Sequence, residues 1–180
     1  NSEIAVDLNT ALKNIASYTG NASFLFIPPL FDSQEEYDAF KARHDKCKAP
    51  RADLDSYNGL CFLGVDAGST TVKAALLDEK GNLLDSIYRS NAGNPVPIIR
   101  EYLLNLYQEH PNIRIVTGAV TGYGEELLKN AFAIEYGIVE TVAHFTAAKT
   151  FMPDVDFVID IGGQDMKCFK IRNGAIDNIF

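Results

Sequence analysis

One short pattern occurs twice in this chain, and nothing else in the sequence constrains the fold as tightly. Leu60 to Val65 runs apolar into Asp66, turns through Ala67-Gly68-Ser69-Thr70-Thr71 and resumes as Val72-Lys73. Val155 to Ile159 is a second apolar run. It meets Asp160, turns through Ile161-Gly162-Gly163-Gln164-Asp165 and resumes as Met166-Lys167. Each copy predicts a β-turn-β hairpin with a carboxylate at the end of its first strand. The repetition predicts two related lobes descended from one unit.

The remaining elements follow from periodicity. In the first copy, strands are expected over residues 60–65, 72–77 and 83–89, with Asp78-Glu79-Lys80-Gly81-Asn82 as a hairpin turn. Pro95 and Pro97 open a helix that runs to about Glu109, because proline suits a first helical turn. A strand over 113–120 leads through Thr121-Gly122-Tyr123-Gly124 into a helix from Glu125 to about Phe132, and another helix covers 142–151. The order β-β-β-α-β-α predicts an α/β, ribonuclease-H-like lobe over residues 59–150. Residues 151–180 start a second lobe that this sequence leaves incomplete.

Residues 1–58 have a different texture and read as a helical connector. Ile4, Leu8, Leu12 and Ile15 recur at helical spacing, so residues 4–18 form an amphipathic helix. Phe24-Leu25-Phe26-Ile27 is an apolar run stopped by Pro28-Pro29. Ser33 followed by acids starts a second helix that reaches about Lys48, and residues 49–58 read as a linker. Arg43, His44, Lys46 and Lys48 solvate that helix, and His110 before Pro111 marks a helix end.

Composition removes several classes of function. The balance of 24 acids against 16 bases gives a net charge of −8, which repels nucleic-acid phosphates. No apolar run approaches the roughly 20 residues of a membrane helix. The opening Asn1-Ser2-Glu3 carries neither a basic leader nor an initiator Met, so a cytoplasmic piece of a longer protein is expected. Three cysteines, Cys47, Cys61 and Cys168, are odd in number and widely spaced. They argue for reduced thiols, two of them on strands, and against a disulfide framework or zinc knuckle. The sequon at Asn21-Ala22-Ser23 reads as chance.

The chemistry lies in the two turns. A carboxylate ending a buried strand is costly unless it meets a cation or donors. Gly68 lets backbone N–H groups approach an anion, Ser69, Thr70 and Thr71 add hydroxyls, and Lys73 adds a cation. These residues make a phosphate cradle, with Asp66 placed to hold Mg2+ through water. A solvated hairpin turn uses the same residue types, but a second copy at Asp160-Ile161-Gly162-Gly163-Gln164-Asp165 weighs against that reading. Two such hairpins facing each other would clamp a polyphosphate and its metal from both sides. Neither a Walker sequence nor Gly-x-Gly-x-x-Gly is present. Glu140 and His144 stand four residues apart on one helix. His144 is either a ligand or switch, or the satisfied partner of a neighbouring carboxylate.

The two loops resemble the phosphate loops of the actin, heat-shock chaperone and sugar-kinase ATPase superfamily. More closely, LGVDAGSTTVKAAL, TGYGEELL, ETVAHFTAA and DIGGQDMKCF resemble the BadF/BadG/BcrA/BcrD-type activator ATPases of 2-hydroxyacyl-CoA dehydratases and benzoyl-CoA reductase, over residues 60–180. The resemblance implies ATP hydrolysis coupled to passing a low-potential electron to an acyl-CoA dehydratase or reductase. It implies a homodimer holding one [4Fe-4S] cluster whose cysteines lie beyond this sequence. Asp66, Gly68, Ser69, Thr70, Thr71 and Lys73 would contact phosphates and Mg2+. Asp160, Gly162, Gly163, Gln164 and Asp165 would form the opposite loop, with Asp160 a second carboxylate for the metal. Gln164 or an acid across the cleft would orient the attacking water, and Thr121, Gly122, Tyr123 and Gly124 would line the crossing near the γ-phosphate. Glu125 stands where short activators often have Arg, and the family has a Glu and a His at Glu140 and His144. Residues 24–58 look like the connector before the second module of large duplicated members, which implies an incomplete adenosine pocket and weak nucleotide binding in this piece. The alternatives are an amino-sugar-type kinase of the same superfamily and a non-catalytic docking module.

Overall fold

A computed structural model describes residues 7–20 and 27–180 and divides the chain into two compact units, Asn1–His44 and Asp45–Phe180. In the first unit, α1 (Leu8–Ser17) is capped by Asp7, which accepts from Asn9 N and Thr10 Oγ1. Leu8, Leu12 and Ile15 form its expected apolar stripe and are largely exposed. Ile4, the run over 24–26 and the sequon lie outside the described residues. The second helix, α2 (Gln34–His44), starts where Ser33 Oγ accepts from Glu36 N. It stops four residues short of Lys48. Lys41, Arg43 and His44 sit in its last turn against the negative end of the helix, and His44 Nδ1 lies 2.8 Å from the Phe40 carbonyl.

The second unit holds two sheets. The first contains β1 (Leu60–Ala67), β2 (Thr71–Leu77), β3 (Leu83–Ser90), β4 (Arg114–Thr121) and β5 (Tyr136–Gly137), in the order β3-β2-β1-β4-β5. β1, β2 and β3 are antiparallel, while β4 joins β1 in parallel and β5 joins β4 in parallel. Helices α3 (Val96–Glu109), α4 (Glu125–Phe132) and α5 (Glu140–Phe151) complete this part. The second sheet is antiparallel, in the order β6 (Phe157–Ile161), β7 (Met166–Arg172), β8 (Ala175–Ile179). The expected β-β-β-α-β-α order is present, followed by a second hairpin sheet. The two-residue β5 was not legible, being too short for periodicity to register.

β1 reads as a continuous apolar run, yet only alternate residues are buried. Cys61, Leu63, Val65 and Ala67 share a core with Ile99, Tyr102 and Leu106 of α3 and Leu128 of α4. Leu60 and Phe62 point the other way and are more than a third exposed. Residues 49–58 are not a free linker. Leu83 N donates to Pro50 O and Ala52 N donates to Leu83 O, which laces this segment onto the start of β3. Ala52, Leu54 and Tyr57 pack against the core, so hydrophobic contact and edge pairing hold a stretch whose Pro, Asp and Ser content looks loop-like.

Asp78 organises the β2–β3 turn. It is buried and accepts from Lys80 N, Asn82 N and Asn82 Nδ2 at 2.7–2.8 Å. Asn82's side chain is the strongest influence. With the backbone donors it outweighs burial and holds the Asp78 carboxyl below its ordinary value. A depressed folded pKa means the stabilisation is complete at neutral pH and disappears as pH falls below about 3.9 and through the folded value. Urea unfolding across this acid range is expected to be less pH-dependent in Asp78→Asn than in the parent. Equal acid sensitivity of the two proteins would refute this.

Candidate active site: two carboxylate hairpins around one cleft

The β1–β2 register sets Asp66 opposite Lys73, and β1–β4 pairing sets it beside Thr121. Lys73 Nζ donates to Asp66 Oδ2 at 3.0 Å, and both side chains are about one-third exposed. Asp66 Oδ1 is buried and has no hydrogen-bond partner among the described residues. A buried carboxylate oxygen without a donor is costly, and this one lies against the Gly122 backbone.

Asn91 fixes the shape of the first loop, a role that sequence reading missed. It is buried on the β3–α3 connection. Its Nδ2 donates to Gly68 O at 2.7 Å, its N donates to Thr70 O at 3.0 Å and its Oδ1 accepts from Gly93 N. Two loop carbonyls are thereby engaged outside the cleft. The nearest sequence signal was the Asn-Ala-Gly stretch at 91–93, where Ala92 and Gly93 both adopt positive φ.

The second hairpin repeats the register: Asp160 stands opposite Lys167 on β6 and β7. The ion pairs differ. His144 Nδ1 lies 2.6 Å from Asp160 Oδ2, whereas Lys167 Nζ lies 3.2 Å from Glu140 Oε2 and 3.1 Å from Asp165 Oδ2. Hydrogen bonds to Asp165 first, then Glu140, raise the Lys167 pKa, so it stays an ammonium. His144 is thus the partner of a neighbouring carboxylate, one of the two roles its spacing allowed. The donor atoms of Glu140, His144 and Asp160 all lie within 4.8 Å of one another, and this is the one such group among the described residues.

The two loops enclose a cavity of about 240 Å3. Asp66, Gly68, Ser69, Thr70, Thr71 and Lys73 line it from one hairpin, and Asp160, Ile161, Gly162, Gly163 and Asp165 from the other. Tyr123, Glu140 and His144 complete the wall. A Cβ on Gly163 would lie 2.8 Å from Thr70 Oγ1, so glycine is what lets the loops meet. Other expected residues stand elsewhere. Gln164 is exposed and does not line the cavity. Gly122 and Gly124 lie behind it, where Gly124 N donates to Ala67 O. Thr121 is buried and donates to Ile138 O, tying β4 to the chain leading into α5. Glu125 packs over Gly137, away from the cavity.

The profile of the BadF/BadG/BcrA/BcrD ATPase family matches residues 63–180. The chain belongs to that family. It is similar to the (R)-2-hydroxyglutaryl-CoA dehydratase activating ATPase of Acidaminococcus fermentans, with 33% identity over 119 residues, covering 64% of this chain and 44% of that protein. Component A of the (R)-2-hydroxyglutaryl-CoA dehydratase of Acidaminococcus fermentans superposes with a TM-score of 0.54 at 28% identity, covering 67% of this chain and 46% of that one. The activator of the 2-hydroxyisocaproyl-CoA dehydratase from Clostridium difficile, with bound ADPNP, gives a TM-score of 0.54 at 30% identity, covering 67% and 44%. The fold is therefore the actin-like and sugar-kinase α/β fold that the family resemblance implied. The chain spans less than half the length of these family relatives.

Proposed function

We propose that this chain carries the phosphate-binding part of an ATPase that activates an acyl-CoA dehydratase or reductase. The observation that carries this reading is the pair of carboxylate hairpins closing on one polar cavity, with Asp66 and Lys73 of one hairpin and Asp160 and Asp165 of the other on its wall. At about 240 Å3 the cavity is smaller than the ~300–1,000 Å3 typical of whole-ligand pockets, a size that suits the phosphate end of a nucleotide.

The residues fit Mg2+, a hard cation that takes carboxylate oxygens and waters. Asp66 and Asp160 would hold it through water, where it would neutralise phosphate charge. Lys73 and the hydroxyls of Ser69, Thr70 and Thr71 would bind and orient the phosphates, with the loop amides of Gly68 and Gly163 beside them, while Gly162 N donates to Asp165 O and holds the second turn closed. Catalysis would then rest on positioning and charge stabilisation. Gln164 faces solvent, so the role of orienting water falls to Glu140, whose carboxylate lines the cavity and is held by Lys167. Tyr123 would lie at the cavity rim and Asp165 would keep Lys167 in place.

The cysteines do not fit an iron–sulfur cluster. Cys61 is buried in β1, where burial pushes its thiol up, Cys168 is half-buried on β7, and Cys47 is exposed. None joins a ligand group among the described residues. The activator relatives support an acyl-CoA dehydratase as the partner, whereas electron transfer, homodimer formation and cytoplasmic location are parts of the proposal carried over from the sequence reading.

Titration of the chain with Mg2+ and inorganic tripolyphosphate, followed calorimetrically, tests the site without needing a nucleoside pocket. One-site binding that requires both components is expected. Absence of binding would refute the reading, and phosphate transfer from ATP to an added amino sugar would replace it with a kinase.

A further inference from the structure

The two hairpins share one register but not one set of partners, and that difference points to a role for α5. In the first hairpin the lysine closes on its own aspartate, Lys73 on Asp66 at 3.0 Å. In the second, Lys167 occupies the matching place but is drawn onto Glu140 and Asp165, and Asp160 takes the imidazole of His144 instead. Glu140 and His144 both come from the first turns of α5, so one helix performs both halves of the exchange.

We propose that His144 is a positioning residue that orients the Asp160 carboxylate for a phosphate-bound divalent cation, in place of the lysine used by the sister hairpin. This rests on the phosphate-site reading above. An ammonium beside a carboxylate neutralises it. A planar imidazole donating from Nδ1 fixes the carboxylate at a set angle, as the outer partners of metal ligands do. The cavity and its supporting pairs then carry four carboxylates, Asp66, Glu140, Asp160 and Asp165, against two ammoniums, Lys73 and Lys167. Lys167, held by two acids, cannot swing back to Asp160 without abandoning both.

Direct metal ligation by Glu140, His144 and Asp160 is the competing use of this cluster. Two ligands at ~2.1 Å from one small ion sit about 3 Å apart. The 2.6 Å contact between His144 and Asp160 is shorter than that and is the distance of a strong hydrogen bond. Lys167 also already satisfies Glu140. The cluster is a hydrogen-bonded support, not a metal cage.

The test compares Mg-tripolyphosphate binding by the parent chain, His144→Ala and His144→Asn. Asparagine places an amide donor close to the Nδ1 position. His144→Ala is expected to weaken binding about 10–100-fold, the usual cost of losing a group that orients a metal ligand. His144→Asn should recover most of that loss. Nitrogen-15 spectra of the parent imidazole should show a protonated Nδ1 whose signal moves in Asp160→Asn. Unchanged binding in His144→Ala, or equal losses in both variants with circular dichroism intact, would overturn the positioning role. So would tight Zn2+ or Mn2+ binding without phosphate that both variants abolish, which would make His144 a ligand. A parent chain that binds no Mg-tripolyphosphate would overturn the phosphate-site reading and this proposal together, whereas parent binding with unaffected variants would overturn this proposal alone.

Discussion

Asp66→Asn is expected to weaken Mg-tripolyphosphate binding about 10–100-fold while leaving the fold nearly as stable as the parent. Asparagine keeps the volume of the side chain and removes its charge. The loss follows from one charge-assisted contact of about 1.5–3 kcal/mol. The Asp66–Lys73 pair is about one-third exposed on both sides, so solvent screening limits its contribution to stability to less than about 1 kcal/mol. Asparagine also relieves part of the cost of the buried, unpartnered Oδ1. The two effects therefore separate. Calorimetric titration should show the binding defect, and urea unfolding should show a midpoint near that of the parent. Parental affinity would remove Asp66 from the cation site. A variant that loses affinity only because it unfolds would show instead that the carboxylate serves the fold.

Gly122→Ala is expected to produce the opposite pattern, a large loss of stability from a single methyl group. Gly122 has φ +88°, where an L side chain is strained. A Cβ there would lie 2.7 Å from Ala67 O and 3.0 Å from Asp66 Oδ1. The carbonyl cannot easily withdraw, because it accepts from Gly124 N at 2.9 Å and belongs to the last residue of β1. Strain and overpacking together should cost about 2–4 kcal/mol. Gly81→Ala supplies the control. Gly81 also has positive φ, +80°, but nothing lies within 4 Å of its Cβ position. Its cost should be about 1 kcal/mol, the backbone share alone. Equal costs in urea unfolding would mean that the close approach to Ala67 does not constrain the TGYG turn.

Both predictions bear on the same few atoms. Gly122 brings the end of β4 against the end of β1, and this is what buries Asp66 Oδ1. The Gly-rich turn thus acts on the site from behind. It makes the carboxylate expensive to leave unpaired, while the cavity itself is walled by other residues. The reading of Gly122 and Gly124 as a lining of the cavity was natural from sequence, because glycine permits close approach of a ligand and of the protein's own backbone alike. Only coordinates show which of the two it meets.

The local order of the second unit was legible residue by residue. Strand and helix periods, the Asp78–Asn82 turn and Pro95–Pro97 at the start of α3 are signals carried by neighbours in the chain, and they placed most elements closely. The repeat of Asp, glycine turn and lysine also carried the two hairpins and the family resemblance, since its meaning depends on spacing. Long-range choices were not legible. Which face of β1 is buried depends on α3 and α4. Whether residues 49–58 are free depends on the edge offered by β3. Whether Asp160 meets Lys167 or His144 depends on where α5 crosses the second hairpin, and an identical register permits both. Asn91 could not be singled out at all, because its partners Gly68 and Thr70 are more than twenty residues away. Sequence alone determined the hairpins and the residues gathered in each turn, since turns and strand periods are set by adjacent residues. Tertiary structure decided the partners of each charge, since those are set by packing between segments far apart in the chain.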